Sequence, residues 1–154
     1  MMKVGIISDT HGMLSRQALD VLNGVDHILH AGDIGAPEVL QILNTIAPVN
    51  AVRGNMDGGA WCRDLPGTDM VELDATTFYL LHDLNALDLD PPAAGVRVVV
   101  HGHTHQAADK THSGVLYFNP GSASRPGRPG GPLSLGILEI ANGRIDPQII
   151  VLNR

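Results

Sequence analysis

The sequence contains one cysteine, Cys62, in 154 residues. A lone thiol closes no internal disulfide, so the core must hold the fold, and a reducing cytoplasm is the expected location. A chain of this length buries roughly 68–70% of the surface that its unfolded form exposes. One domain spanning residues 1–154 is therefore expected. Aromatic residues make up only 3%, which argues against a platform for stacking unpaired bases. Basic residues are outnumbered, with 10 Lys and Arg against 16 Asp and Glu and a formal charge of −6. Binding to nucleic acid needs a basic surface, so no such partner is expected. No apolar run approaches the ~18 residues that span a bilayer, so no membrane partner is expected either. The short apolar run near Met1 is interrupted by Ser8-Asp9-Thr10-His11 too early for a secretory leader.

Histidine is plentiful by comparison, with eight in the chain. Hydrophobic patterning places most of them. Val4–Ile7, His27–His30 and Val49–Val52 read as short buried strands. Helices are expected at Ser15–Leu22, ended by Asn23-Gly24, and from Pro37 through Ile46. Strands alternating with helices over short connections predict right-handed βαβ units and a parallel sheet. In the second half, strands are expected at Met70–Leu73, Thr77–Leu81, Val96–His101, Val115–Phe118, Leu133–Ile140 and Ile145–Leu152. A short helix is expected at Asp88–Ala94. Arg125–Pro132, rich in Pro and Gly, reads as a loop.

Five motifs carry side chains that bind metals: Asp9-Thr10-His11, Gly32-Asp33, Gly54-Asn55-Met56-Asp57, His82-Asp83 and Gly102-His103-Thr104-His105. Each follows an expected strand. In open α/β sheets, sites form beyond the carboxyl ends of strands, so these groups should converge. In an extended Asp-x-His or His-x-His, residues i and i+2 point the same way and reach one cluster. Imidazole with carboxylate suits first-row metals such as Mn, Fe, Co, Ni or Zn. Calcium would demand more oxygens. Gly32, Gly54 and Gly102 are expected to permit tight turns where side chains crowd.

This ordered set, from Met2 to about Ser122 and including Asn119-Pro120-Gly121-Ser122, resembles the calcineurin-like metallophosphoesterase superfamily. Within it the chain is similar to the small YfcE-type phosphodiesterase branch, to which the retromer subunit Vps29 is related. The resemblance implies a four-layer α-β-β-α sandwich of two mixed sheets. It also implies two divalent ions, with manganese favoured. Asp9, His11 and His105 would hold the first ion. Asn55, His82 and His103 would hold the second, and Asp33 would bridge. A metal-bound hydroxide would attack phosphorus, with Asp33, Asn55 and His103 as catalytic residues. A small phosphate ester is the implied substrate, and a homodimer or higher homo-oligomer fits the branch.

Two positions depart from the wider superfamily. Met56 stands where many members carry a His that protonates the leaving group, and Met cannot donate a proton. Asp57 would serve as an acid only with a raised pKa. Asp83 stands where many relatives have Gly, either as a partner of His82 or facing solvent. His27, His30, His101 and His112 lie outside the motifs and are expected to pack or hydrogen-bond rather than ligate. Arg53, Arg125 and Arg128 are candidate phosphate binders, through bidentate guanidinium contacts. Trp61 and Cys62 are expected to pack or to line a rim. Asn119–Ser122 is expected to fix a turn near the metals. A phosphodiesterase is the leading function, and a metal-binding interaction scaffold is the alternative.

Overall fold

In the computed structural model, which describes residues 1–153, the strand–helix alternation of the first third forms as its patterning requires. Strand β1 (Met2–Ile7) is followed by helix α1 (Arg16–Leu22), β2 (His27–His30), helix α2 (Pro37–Asn44) and β3 (Val49–Ala51). Ser15 is not inside α1 but caps it, accepting from the Ala18 N–H at 3.1 Å. Such a cap satisfies one of the backbone donors left free in the first helical turn. Pro37 begins α2, where its missing N–H costs nothing.

The second half supplies β4 (Thr68–Leu73), β5 (Thr76–Leu81), β6 (Val98–Val100), β7 (Ala108–His112), β8 (Val115–Asn119), β9 (Leu133–Ala141) and β10 (Arg144–Leu152). Sequence patterning does not signal β7, because four of its five residues are exposed and it lies at a sheet edge. The expected helix at Asp88–Ala94 does not form. Pro91 and Pro92 lack the N–H groups a helix would use, and Pro91–Gly95 is a turn instead.

Two five-stranded mixed sheets result, ordered β10-β9-β1-β2-β3 and β4-β5-β6-β8-β7. Each contains three adjacent parallel strands: β1, β2 and β3 along one side of the first sheet, and β5, β6 and β8 at the centre of the second. The sheets face each other across a core of Ile6, Leu29, Phe78, Val98, Phe118 and Leu138. Helices α1 and α2 bury Leu22, Val39 and Leu43 on the outside of the first sheet, where Cys62 and Trp61 also pack or are buried. This is the four-layer arrangement expected. The outermost layer over the second sheet is thin, however: Leu84, Leu87 and Leu89, around a 3-10 turn at Leu84–Ala86, cover Val99 and Leu81. Among the described residues, no helix is long and apolar enough to cross a membrane.

Six parallel strands therefore end at one edge of the sandwich, three from each sheet. Every metal-capable motif follows one of them.

Candidate metal centre

The loop after β1 carries Asp9 and His11, the loop after β2 carries Asp33, and the chain beyond β3 carries Asn55. His82 follows β5, and His103 and His105 follow β6. The loops are laced together by backbone bonds. Asp9 N–H donates to Gly32 O at 3.0 Å, His11 N–H to Asp33 O at 3.0 Å, and Gly102 N–H to His82 O at 3.0 Å.

The backbone that aims these side chains is not the extended one that alternation would need. Asp9 (φ 56°), His11 (φ 47°), Asp33 (φ 52°), His103 (φ 73°) and His105 (φ 61°) all adopt left-handed conformations. The other non-glycine residues with positive φ, Asp74, Ala75, Ser113 and Asn142, lie in the β4–β5, β7–β8 and β9–β10 hairpin turns. A left-handed non-glycine residue costs on the order of 1–3 kcal/mol and persists where its surroundings over-determine it. Concentrated strain at five clustered side chains is thus itself a mark of a functional site.

The glycines serve close approach more than turning. Of Gly32, Gly54 and Gly102, only Gly32 has positive φ, at +100°, and a Cβ there would lie 2.8 Å from His82 Nδ1. A Cβ on Gly54 would overlap the backbone nitrogen and Oδ1 of Asp33. One on Gly102 would overlap Ser8 Oγ and lie 2.7 Å from Asp9 Oδ2.

Asp9 is fully buried. Its Oδ2 accepts from Ser8 Oγ at 2.6 Å and from the His103 N–H at 3.1 Å. Its Oδ1 is buried without a hydrogen-bond partner. Three imidazoles surround that oxygen: His105 Nε2 at 3.2 Å, His11 Nε2 at 3.8 Å and His82 Nε2 at 3.8 Å. His11 and His105 also bring their Nε2 atoms within 3.4 Å of each other. Ligand atoms that share one ion at about 2.0–2.2 Å stand roughly 3–3.6 Å apart, so the 3.2 and 3.4 Å separations suit a common cation and the 3.8 Å ones lie just beyond that range. A buried carboxylate oxygen left without a hydrogen-bond partner among imidazole nitrogens is a costly arrangement that a cation relieves.

A second group comprises Asp9, Asp33 and His82. His82 Nδ1–H donates to the Ala31 carbonyl at 2.7 Å, which directs Nε2 inward, 3.3 Å from Asp33 Oδ2. That Nε2 is also buried without a hydrogen-bond partner. The His103 ring packs edge-on to His82 with centroids 5.2 Å apart, and its Nδ1 lies 3.2 Å from Asn55 Oδ1. All seven expected ligands therefore gather at this edge. Asp9 and Asp33 are the buried carboxylates, whereas Asn55 and His103 are exposed.

Electrostatics follow from this crowding. Burial disfavours a charged Asp33, but His82 and the Met56 N–H, 2.8 Å from Oδ1, outweigh it and hold the pKa below the usual carboxylate value. Burial likewise opposes a charged His82, and Asp33, the Ala31 carbonyl and Asp9 lift its pKa despite that. Burial, then the nearby Arg125 guanidinium, lower the pKa of His11.

The remaining candidates separate. Arg125 is exposed beside His11. Arg128 lines a cleft of about 250 Å³ with Gln106 and Pro132, which adjoins the ligand cluster only at His105. Asp57 is a clamp: it accepts from Gly54 N–H at 2.9 Å, Gly35 N–H at 3.0 Å and Ile34 N–H at 3.2 Å. Asp83 is half-exposed to solvent, as one of the two expectations had it, and does not partner His82. It caps the following 3-10 turn through the Asn85 N–H, and its Oδ2 lies 4.0 Å from His103 Nε2 rather than against His82. Met56 is 66% exposed at the rim. Asn119–Ser122 orders both halves of the site. Asn119 Nδ2 donates to Gly102 O at 3.1 Å, and Ser122 Oγ donates to Asp9 O at 3.0 Å. Sequence reasoning does not reach Ser8, the buried His30 or Ser124, whose Oγ donates to Asp9 O at 2.7 Å, because a lone hydroxyl or imidazole at a strand end or in a loop carries no spacing signal.

Known proteins resemble both the sequence and this geometry. The calcineurin-like phosphoesterase superfamily domain matches residues 2–143. The phosphodiesterase YfcE of Escherichia coli strain K12 is 31% identical, over 90% of this chain and 88% of its own. The structure of a novel archaeal phosphodiesterase superposes with a TM-score of 0.82 at 29% identity, covering 98% of this chain and all of that one. Wild-type Vps29 of Entamoeba histolytica, complexed with Zn2+, superposes with a TM-score of 0.77 at 25% identity, covering 99% of this chain and all of that one.

Proposed function

The chain belongs to the calcineurin-like phosphoesterase superfamily, and from that premise we propose that it is a phosphodiesterase working with two divalent metal ions. Asp9, His11 and His105 would hold one ion, and Asn55, His82 and His103 the other, with Asp33 available to both. The observation that carries this reading is Asp9 Oδ1, buried, without a hydrogen-bond partner and ringed by three imidazole nitrogens. The Zn2+ held by the similar Vps29 structure supports a metal in this fold. Manganese is our first choice, with Ni, Co, Fe or Zn compatible with the same donors.

Bound there, such ions supply Lewis-acid charge to the phosphate and an acidified water near neutral pH. The chain's own groups do the rest. Only two of the seven ligands, Asp9 and Asp33, are anionic. Two divalent ions therefore leave the site positive inside an acidic protein, which attracts a phosphate ester. Asn55 and His103, the exposed members, meet the substrate, with the buried Asp33 behind them. Arg125 beside His11 pairs with a non-bridging oxygen, and Arg128 lies farther out along the same loop. Neither candidate acid protonates the leaving group: Met56 has no proton to give, and both oxygens of Asp57 accept backbone N–H groups. Esters whose leaving groups depart unprotonated are therefore the expected substrates.

A metal-binding scaffold is the second reading, favoured by the Vps29 likeness and by Met56. The buried Cys62 fits a reducing compartment, and we place the protein in the cytoplasm as a homo-oligomer, to be tested by light scattering. The deciding assay presents bis-p-nitrophenyl phosphate, p-nitrophenyl phosphate and cyclic nucleotides with Mn, Ni, Co or Zn. Turnover of the diester that disappears, with metal occupancy, in Asp33→Ala supports the enzyme. No turnover by folded, metal-loaded protein establishes the scaffold.

A further inference from the structure

His30 is not a ligand, yet it is fully buried at the end of β2 beside the metal loops. Its Nδ1 lies 3.1 Å from the Gly32 backbone nitrogen, and its Nε2 lies 3.0 Å from Thr10 Oγ1. An amide N–H can only donate, so Nδ1 accepts and the neutral ring carries its proton on Nε2. Nε2–H then donates to Thr10 Oγ1, whose own O–H donates to the Ile34 carbonyl at 2.8 Å. Thr10 lies between Asp9 and His11, and Gly32 and Ile34 flank Asp33. One imidazole thus joins the two loops that carry the buried carboxylates. The chain of bonds has a direction at each link, and only the Nε2–H tautomer satisfies all of them. Burial holds the ring neutral, with a pKa lowered to about 3.

We propose that His30 is a positioning residue that sets, through Gly32 and Thr10, the separation between the Asp9–His11 pair and Asp33, and with it the ability of the site to hold two cations side by side. The proposal rests on the two-cation reading. Threonine at position 10 is required for its hydroxyl, which accepts from the ring and donates onward, rather than for its volume.

Manganese binding tests this by calorimetric titration and by low-temperature electron paramagnetic resonance, which distinguishes a spin-coupled Mn pair from isolated ions. Wild-type protein is expected to bind two Mn and show the coupled signature. Thr10→Val, which keeps the shape and removes the hydroxyl, should weaken the second Mn by roughly 10–100-fold, the range found when groups behind metal ligands are removed. His30→Asn should do the same, and the double variant should bind no worse than either single one. Thr10→Ser should restore affinity and coupling. In metal-free protein, nitrogen-15 spectra should place the His30 proton on Nε2. A folded Thr10→Val with wild-type affinity and a coupled spectrum would overturn the proposal, as would an Nδ1–H tautomer in metal-free protein. A wild-type chain that binds no Mn overturns the two-cation reading itself, a different failure.

Discussion

Gly54→Ala isolates the consequence of close approach at the metal edge. A Cβ at residue 54 would overlap the Asp33 backbone nitrogen and Oδ1 and lie 2.9 Å from its Cα. Backbone cannot swing aside as a flexible side-chain tip can, so the two loops must part. Overpacking of this kind costs about 1–3 kcal/mol. Parting also stretches the bond from the Met56 N–H to Asp33 Oδ1, now 2.8 Å, worth about 1 kcal/mol at a partly exposed site. The sum is about 2–4 kcal/mol, or a fall in Tm of roughly 5–15 °C for a chain of this size. Gly58→Ala is the matched control. It lies in the same loop with nothing within 4 Å of a Cβ and no positive φ, so it should be neutral or slightly stabilising. Urea denaturation of both variants without metal, and Mn titration of both, make the comparison. Equal stability for the two alanine variants would refute the reasoning that Gly54 is there to let Asp33 come close.

Other outcomes follow from the same geometry. Asp57→Ala leaves the Gly54, Gly35 and Ile34 N–H groups without their acceptor and should cost about 2–3 kcal/mol in denaturant titration. Asp83→Asn removes a negative charge 4.0 Å from His103 Nε2 and keeps an oxygen to cap the Asn85 N–H. The ratio of kcat/KM for dianionic monoester over monoanionic diester should rise on the order of fivefold, given solvent screening at this half-exposed rim. Acid should destabilise the metal-free protein through His30 and His101, whose burial lowers their pKa values to about 3 and about 4. Above the ordinary histidine value of 6.5, neither folded nor unfolded chain binds these protons. As pH falls below it, only the unfolded chain takes them up. Each group then removes up to about 1.4 kcal/mol per pH unit until its folded pKa is reached. His30→Asn should flatten that slope between pH 6 and 4 in denaturant titrations.

Much of this protein is determined by local order in the chain. Apolar runs such as Val4–Ile7 and Ile28–Leu29, the Ser15 cap and Pro37 specify β1, β2, α1 and α2 from short-range chemistry. The metal motifs are visible because each follows a strand, and strands that run parallel must end at one edge. Long-range placement settled the rest. The sequence cannot show that Asp9 and His103 reach inward from left-handed backbone, because at Asp9, His11, Asp33, His103 and His105 that conformation is held by tertiary contacts rather than by a hairpin turn. Asp57 and Asp83 are equally acidic on paper. One became a clamp because Ile34 and Gly35 lie within reach of its oxygens, and the other remained at the rim beside His103. His30 is an ordinary strand residue until Thr10 and Gly32 meet its two nitrogens from separate loops. Residue type and order decided which groups are available to bind a cation; the approach of two sheets decided which oxygen was left without a partner to receive one.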